Sequence, residues 1–242
     1  MSLLPAGLTA IVFDMDGVLV DSTEAHVQAW TRFLEERSIQ APAAGVHSLF
    51  GRRGADALAQ LLDLDADSPQ VQAALDDLEG YADALLDEHG PGQQLVPGVP
   101  EMVADLRDSG WRLGVATSAR RHIAAHALGT LRTAFQTLVT AEDVTRGKPD
   151  PEAYLTAAAR LGVPPQACLV VEDAVAGVTA GKQAGMHVVA VPTTAETHAL
   201  CSAGADAVLD RITDLPERLA AHQTDTDRGH GREWHTTGGP HG

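Results

Sequence analysis

The chain has 242 residues and is acidic, with 33 aspartates and glutamates against 17 lysines and arginines and a formal net charge of −16. Apolar residues make up 44% of it, which is enough for a packed core and excludes global disorder. Aromatic residues make up only 4%. Because nucleic-acid binding needs a basic face and often aromatic stacking surfaces, we expect no nucleic-acid partner.

The apolar runs of the sequence are too short to cross a membrane, which takes about 18 consecutive apolar residues or more. The apolar start, residues 3–13, leads directly into two aspartates, as a buried strand followed by a loop would. Two cysteines, Cys168 and Cys201, indicate no disulfide framework. We expect a cytoplasmic protein with no membrane partner, and we expect it to be a monomer.

Strand-type and helix-type segments alternate along most of the chain. Continuous apolar runs are typical of strands that are buried on both faces of a parallel sheet. We predict strands at 10–13, 113–116, 137–140, 168–171 and 188–191, with a weaker sixth strand at 207–209. We predict helices at 99–109, 121–129, 151–161, 174–184 and 195–203. This order predicts an α/β fold with a doubly wound, Rossmann-like parallel sheet.

A long stretch without strand character follows the first strand. Its apolar residues recur at helical spacing, as at Leu75, Leu78 and Ala82, which gives one apolar stripe. We expect an inserted all-helical cap domain at 21–95 and a catalytic core formed by 1–20 and 96–221. The residues from 222 to 242 are polar and aperiodic, which predicts a disordered tail.

Four groups of reactive residues follow four of the predicted strands. They are Asp14 and Asp16, then Thr117 and Ser118, then Lys148, and finally Glu172 and Asp173. Ligands of open α/β sheets bind outside the carboxyl ends of the strands, so we expect these groups to meet. Carboxylates suit Mg²⁺, whereas a lysine and hydroxyl groups suit a phosphate. One carboxylate can then attack phosphorus while a second moves the proton.

Two interpretations of these residues as parts of a non-enzymatic protein stay open at this point. A calcium-binding loop needs glycine at its sixth position, but Gly17 is the fourth residue counted from Asp14. A phospho-receiver signalling domain also combines an aspartate, a hydroxyl group, a lysine and Mg²⁺. That domain needs neither an acid two residues after the acceptor aspartate nor a helical insertion.

The motifs together resemble those of the haloacid dehalogenase-like hydrolases. Residues 14–22 resemble the first motif of that superfamily, and Thr117 with Ser118, residues 147–152 and residues 171–178 resemble the other three. The resemblance covers roughly residues 9–215 and favours the branch of helical-cap sugar phosphatases and β-phosphoglucomutase-like proteins. An acid at position 16 favours phosphoryl transfer over dehalogenation.

The resemblance also implies a role for each motif residue. Asp14 is implied as the nucleophile that forms an aspartyl-phosphate, and Asp16 as the general acid and then the base. Thr117 and Ser118 are implied to bind the phosphate, with Lys148 between phosphate and nucleophile. The implied Mg²⁺ ligands are Asp14, the Asp16 backbone carbonyl and Asp173, with Glu172 in or near the metal shell.

We expect residues of the cap to recognise the substrate. The candidate residues are His26, Gly51, Arg52 and Arg53. A mutase of this branch is expected to carry a lysine and an arginine where this chain has Phe50 and Gly54. We therefore predict a Mg²⁺-dependent phosphatase of small sugar or polyol phosphates, with a β-phosphoglucomutase-type mutase as the alternative.

Overall fold

The computed structural model describes residues 7–43, 45–49, 54–89, 92 and 95–220. Six strands form one sheet: β1 (Ala10–Phe13), β2 (Arg112–Ala116), β3 (Thr137–Val139), β4 (Cys168–Glu172), β5 (His187–Ala190) and β6 (Ala207–Val208). Their spatial order is β3-β2-β1-β4-β5-β6, and every neighbouring pair is parallel. The predicted doubly wound parallel sheet is therefore confirmed.

Helices cover both faces of this sheet. Those of the core are α4 (Val99–Asp108), α5 (Arg121–Leu128), α6 (Glu152–Leu161), α7 (Val175–Gln183) and α8 (Thr197–Ser202). Alternate residues of β1 point to opposite sides: Ile11 and Phe13 pack in one core cluster, whereas Ala10 and Val12 pack in the other. Burial on both faces explains why the sequences of the strands are continuous apolar runs.

The described residues between β1 and α4 form three α-helices, namely α1 (Thr23–Glu36), α2 (Gly54–Leu62) and α3 (Pro69–His89). They enclose an apolar cluster of their own, in which Phe33 is completely buried and contacts Trp30 edge to face at 6.0 Å between ring centroids. Within the part of the chain that the structure describes, no helix combines the length and the apolar character that a membrane span requires.

The chain leaves and re-enters the core at adjacent points. Val20 and Leu95 form an antiparallel bridge, and the Val96 amide donates to the Leu19 carbonyl at 3.0 Å. These contacts support our proposal that residues 21–95 form the cap, with boundaries close to 20 and 96. The predicted disordered tail, 222–242, lies outside the described residues.

The predicted elements match the observed ones to within one or two residues at each end. Helix α7, predicted from residue 174, begins at Val175, because Ala174 has an extended backbone and acts as the N-cap. Strand β3 ends at Val139 instead of residue 140, where Thr140 caps a short 3-10 helix. Such differences arise where hydrogen bonding, rather than hydropathy, sets the end of an element.

The strand register brings the ends of β1, β2 and β4 to the same level. Phe13 lies opposite Val115 in β2 and opposite Val171 in β4. Between β1 and β4 the strand order reverses direction, which is where open α/β sheets form a ligand crevice.

Replacing Phe33 tests the separate core of the cap. Phe33→Ala removes a fully buried ring, so we expect the free energy of unfolding to fall by about 3–5 kcal/mol in urea titrations. The control is Leu64→Ala, because Leu64 is 43% exposed and should cost well under 1 kcal/mol. Equal losses in the two variants would contradict the packing described for the cap.

Candidate active site

The first acidic motif forms a tight turn directly after β1. The Asp14 amide donates to the Val171 carbonyl at 2.9 Å, and the Gly17 amide donates to the Val20 carbonyl at 2.8 Å. Gly17 has a φ of +72°, and a Cβ there would lie 1.9 Å from Oδ2 of Asp173. A glycine is needed at this position because Gly17 has a left-handed backbone and lies against a carboxylate of the fourth motif.

Lys148 joins the carboxylates of β1 and β4. Its Nζ donates to Oδ1 of Asp14 and to Oε1 of Glu172, at 2.7 Å in both cases, and to the Ala116 carbonyl at 3.2 Å. The Lys148 side chain is only 6% exposed. A lysine this deeply buried needs such partners, because an unpaired buried charge is strongly unfavourable.

The Glu172 carboxylate accepts four hydrogen bonds. Oε1 accepts from Lys148 and from the Tyr154 hydroxyl at 2.6 Å, and Oε2 accepts from the backbone amides of Asp173 and Ala174 at 2.9 and 3.1 Å. Gly177 makes room for this carboxylate, since a Cβ there would lie 1.6 Å from Oε1. Glu172 therefore fixes the position of Lys148.

Three carboxylates lie close together in this centre. One oxygen from each of Asp14, Glu172 and Asp173 falls within 4.8 Å of the others. Burial raises the pKa of Asp14 to about 7, although the charge of Lys148 opposes the rise. Burial, followed by the charges of Glu172 and Asp14, raises the pKa of Asp173 well above its usual value. Lys148 alone does not balance these carboxylates, and a divalent cation ligated by oxygen fits here.

Asp16 has a different environment from Asp14. His26 of α1 places Nε2 3.4 Å from Oδ1 of Asp16. Burial acts to raise the pKa of Asp16, but the hydrogen bond and charge of His26 outweigh it and lower the pKa. Burial conversely acts to lower the pKa of His26, and the bond to Asp16 outweighs it and raises that pKa. Two acids that are two residues apart thus differ in their ease of ionisation.

The second motif lies at the end of β2. Thr117 is buried, its amide donates to the Val139 carbonyl, and its Oγ1 accepts from the Ala119 amide at 3.0 Å. Ser118 is exposed. Both residues line the same cavity as Asp14 and Lys148, as hydrogen-bond donors for an anion should.

One cavity of about 200 Å³ between core and cap collects most of the predicted site residues. Those that line it are Asp14, Asp16, His26, Thr117, Ser118, Lys148, Glu172 and Asp173. Gly51, Arg52 and Arg53, and the neighbouring Phe50, lie outside the described residues. The structure therefore brings together the residues of all four motifs and one of the predicted cap residues.

Four further residues at the site were not assigned a role from the sequence. Tyr154 holds Glu172, and the Thr194 hydroxyl donates to Oδ2 of Asp173. Glu79 and Arg120 line the cavity and pair with each other. Glu79 was detectable, since it comes four residues after Leu75 and places an acid on the apolar side of α3. Thr194 follows no strand directly and gave no such signal.

Residues 8–185 match the sequence profile of a family described as haloacid dehalogenase-like hydrolase. The chain belongs to this family. The hydrolase class predicted from the four motifs is thereby confirmed.

Named relatives of this family include two phosphatases. The chain is 36% identical over 206 residues to validoxylamine A 7'-phosphate phosphatase of Streptomyces hygroscopicus subsp. limoneus, a match covering 84% of this chain and 94% of the relative. It is 36% identical over 188 residues to hexitol phosphatase A of Escherichia coli, covering 77% and 84%. A crystal structure of β-phosphoglucomutase from Clostridium difficile superposes with a TM-score of 0.78 at 25% identity, covering 91% of this chain and 99% of that one.

A pair of glycine variants tests the close packing around Glu172. Gly177→Ala forces its new methyl group onto Oε1, so we expect the free energy of unfolding to fall by about 1–3 kcal/mol. Gly80→Ala in α3 is the control, because a Cβ there meets nothing within 4 Å. Alanine should stabilise that helix by about 0.5–1 kcal/mol. Equal shifts in the urea midpoint would rule out the tight contact at Gly177.

Proposed function

We propose that this hydrolase is a Mg²⁺-dependent phosphatase that removes phosphate from small sugar or polyol phosphates through an aspartyl-phosphate on Asp14. The observation that carries the proposal is the contact between Asp14 and Lys148 at the carboxyl end of β1, inside a cavity that Thr117 and Ser118 also line. A nucleophile, a cation and phosphate-binding hydroxyl groups therefore share one enclosed space.

Asp14 is suited to attack phosphorus. Lys148 holds Oδ1, which orients the carboxylate, and Lys148 also offers a positive charge where the transferring phosphoryl group carries negative charge. Burial raises the pKa of Asp14, whereas the charge of Lys148 lowers it and so favours the ionised carboxylate that attacks phosphorus.

We assign the proton transfers to Asp16 because it lies two residues after Asp14 and lines the same cavity, and its lowered pKa suits the second step, in which the carboxylate acts as the base. It first donates a proton to the leaving oxygen and then takes one from the water that hydrolyses the aspartyl-phosphate. His26 contacts its carboxylate from the cap side at 3.4 Å. The cap thus takes part in placing the acid, and this arrangement supports a reaction that proceeds with the cap closed.

Asp14 and Asp173, with the backbone carbonyl of Asp16, are the proposed ligands of Mg²⁺, and Glu172 lies in or near the metal shell. When bound, the ion would neutralise charge on the phosphate and on the carboxylates. Asp173 is held for this role by the Thr194 hydroxyl, and Gly17 leaves it the space it occupies.

Hydrolysis is favoured here over a mutase reaction. A mutase has to rebind a bisphosphate, which requires a second anion site. The two cap positions at which we expect basic residues in a mutase carry Phe50 and Gly54 in this chain. The two phosphatase relatives share 36% identity with this chain, against 30% for β-phosphoglucomutase of Bacillus subtilis. We propose a small phosphorylated metabolite as the substrate.

Several expectations from the sequence stay predictions. They are the monomeric state, the cytoplasmic location, the lack of a nucleic-acid or membrane partner, and the roles of Gly51, Arg52 and Arg53 in substrate binding.

A phosphate-release screen over sugar, polyol and nucleoside phosphates tests the activity itself. We expect multiple turnovers with Mg²⁺ on sugar or polyol phosphates, a loss of turnover by at least about 10³-fold in Asp14→Asn, and normal turnover in Asp108→Asn. Asp108 is an exposed surface acid and controls for the change of charge. Full turnover in Asp14→Asn would refute the role of Asp14, and isomerisation of β-glucose 1-phosphate without net phosphate release would favour the mutase.

Chelation tests the metal dependence. We expect EDTA to abolish phosphate release and Mg²⁺ to restore it. Mg²⁺ at a hundred times its Kd should also stabilise the wild type by about 2.7 kcal/mol, since only the folded chain assembles the ligands. Asp173→Asn should lose most of this gain. The same thermal shift in variant and wild type would exclude Asp173 as a ligand.

A further inference from the structure

The cavity has an apolar part to its wall besides the residues of the four motifs. Apolar side chains of both cap and core line it, namely Trp30, Leu75, Leu78, Ala82, Ile123 and Ala127. Its volume of about 200 Å³ exceeds the roughly 150 Å³ of a cavity that holds benzene. The cavity as a whole therefore has room for a small organic leaving group.

Glu79 is the one carboxylate that α3 contributes to this wall, among the residues that the structure describes. It lies one helical turn after Leu75 and next to Leu78, on the side of α3 that faces the cavity. Its side chain is 22% exposed. A carboxylate among apolar side chains is costly to desolvate, so it needs polar partners.

On the core side that partner is Arg120. Arg120 comes two residues after the predicted phosphate ligand Ser118 and is the N-cap of α5. Its Nε pairs with Oε2 of Glu79, and its Nη2 donates to Oδ1 of Asp76 at 2.7 Å. Two carboxylates therefore share one guanidinium. Asp76 is 66% exposed and does not line the cavity, whereas Glu79 does.

Among the residues that the structure describes, the cavity wall has no lysine or arginine that is left over for a second anion. In the described part of the cavity wall, the lysine and arginine side chains are Lys148 and Arg120, and both are already paired with two carboxylates each. A leaving group with a second phosphate or a carboxylate would face Glu79 at low dielectric, where like charges repel strongly. A leaving group with hydroxyl donors would instead offer what an acceptor-only carboxylate can bind.

We propose that Glu79 is a specificity-determining residue, which accepts a hydrogen bond from a hydroxyl group of the leaving group while Arg120 holds it in place. The substrate class that follows is a monophosphate of a neutral, polyhydroxylated compound, with anionic leaving groups rejected. This assignment rests on the proposed phosphatase function and deepens it. A carboxylate built to bind a hydroxyl group rejects analogues that lack one, because it is then left without that bond.

Activity on three substrates tests whether Glu79 determines specificity. They are a hexitol phosphate, para-nitrophenyl phosphate, which has no hydroxyl group on its leaving group, and 2-phosphoglycolate, whose leaving group is anionic. In Glu79→Leu we expect kcat/KM for the hexitol phosphate to fall about tenfold or more, mainly through KM. For the aryl phosphate we expect a change of less than about twofold. For 2-phosphoglycolate we expect kcat/KM to rise.

Two further variants keep the test independent of folding. Glu79→Gln preserves shape and one acceptor, so it should give a smaller loss with the hexitol phosphate and the same direction of change with 2-phosphoglycolate. Asp76→Asn is the matched control, because it removes the other carboxylate of Arg120 without touching the cavity. We expect it to leave the ratio of hexitol to aryl activity unchanged.

The outcomes are distinct. An unchanged hexitol-to-aryl ratio in Glu79→Leu overturns the assignment while leaving the phosphatase function intact. An equal loss of kcat/KM on all three substrates also overturns the assignment, because it indicates disturbed folding or cap closure. The same change of the hexitol-to-aryl ratio in Asp76→Asn overturns it as well. If the wild type with Mg²⁺ releases phosphate from none of the three, the proposed function fails and this assignment fails with it.

Discussion

Everything at this site depends on the burial of Lys148 between two carboxylates. Its Nζ lies 2.7 Å from both Asp14 and Glu172, and the charges of these acids raise the pKa of Lys148 well above its usual value although burial opposes this. Lys148 therefore stays charged although it is buried. That charge links the turn after β1 to the end of β4 and gives an anionic substrate a local attraction in a chain whose net charge is −16. Salt screens exposed charges beyond about 8 Å, so the local field dominates.

The fold supplies the means to hold this cluster. Parallel register brings the ends of β1, β2 and β4 level, and Gly17 and Gly177 leave room for carboxylates that any side chain at these positions would displace. Repulsion among the acids is the cost of the arrangement, and a cation is the simplest way to relieve it. The cap then closes the open side with His26 and with the pair of Glu79 and Arg120.

The sequence was informative where the chain is regular and where motifs are contiguous. Continuous apolar runs predicted the parallel sheet, and reactive residues directly after strands predicted which groups meet, because strand ends share one edge. The residues that hold those groups were harder to find. Tyr154 is the third residue of α6 and has the sequence pattern of a core residue, and Arg120 has that of an exposed charge. Their partners Glu172 and Glu79 are distant in sequence. Contacts between residues that are far apart in sequence become visible only in the folded structure.

Direct detection of a phosphorylated Asp14 tests the central claim, which is covalent catalysis by this carboxylate. The suitable protein is Asp16→Ala with para-nitrophenyl phosphate and Mg²⁺, because an aryl leaving group needs little help from an acid whereas hydrolysis of the intermediate needs the base. The account predicts that acid-quenched samples gain the mass of one phosphoryl group, on the peptide that contains Asp14. Release of para-nitrophenol with unmodified protein at every time point, or a phosphoryl group on another residue, would contradict it.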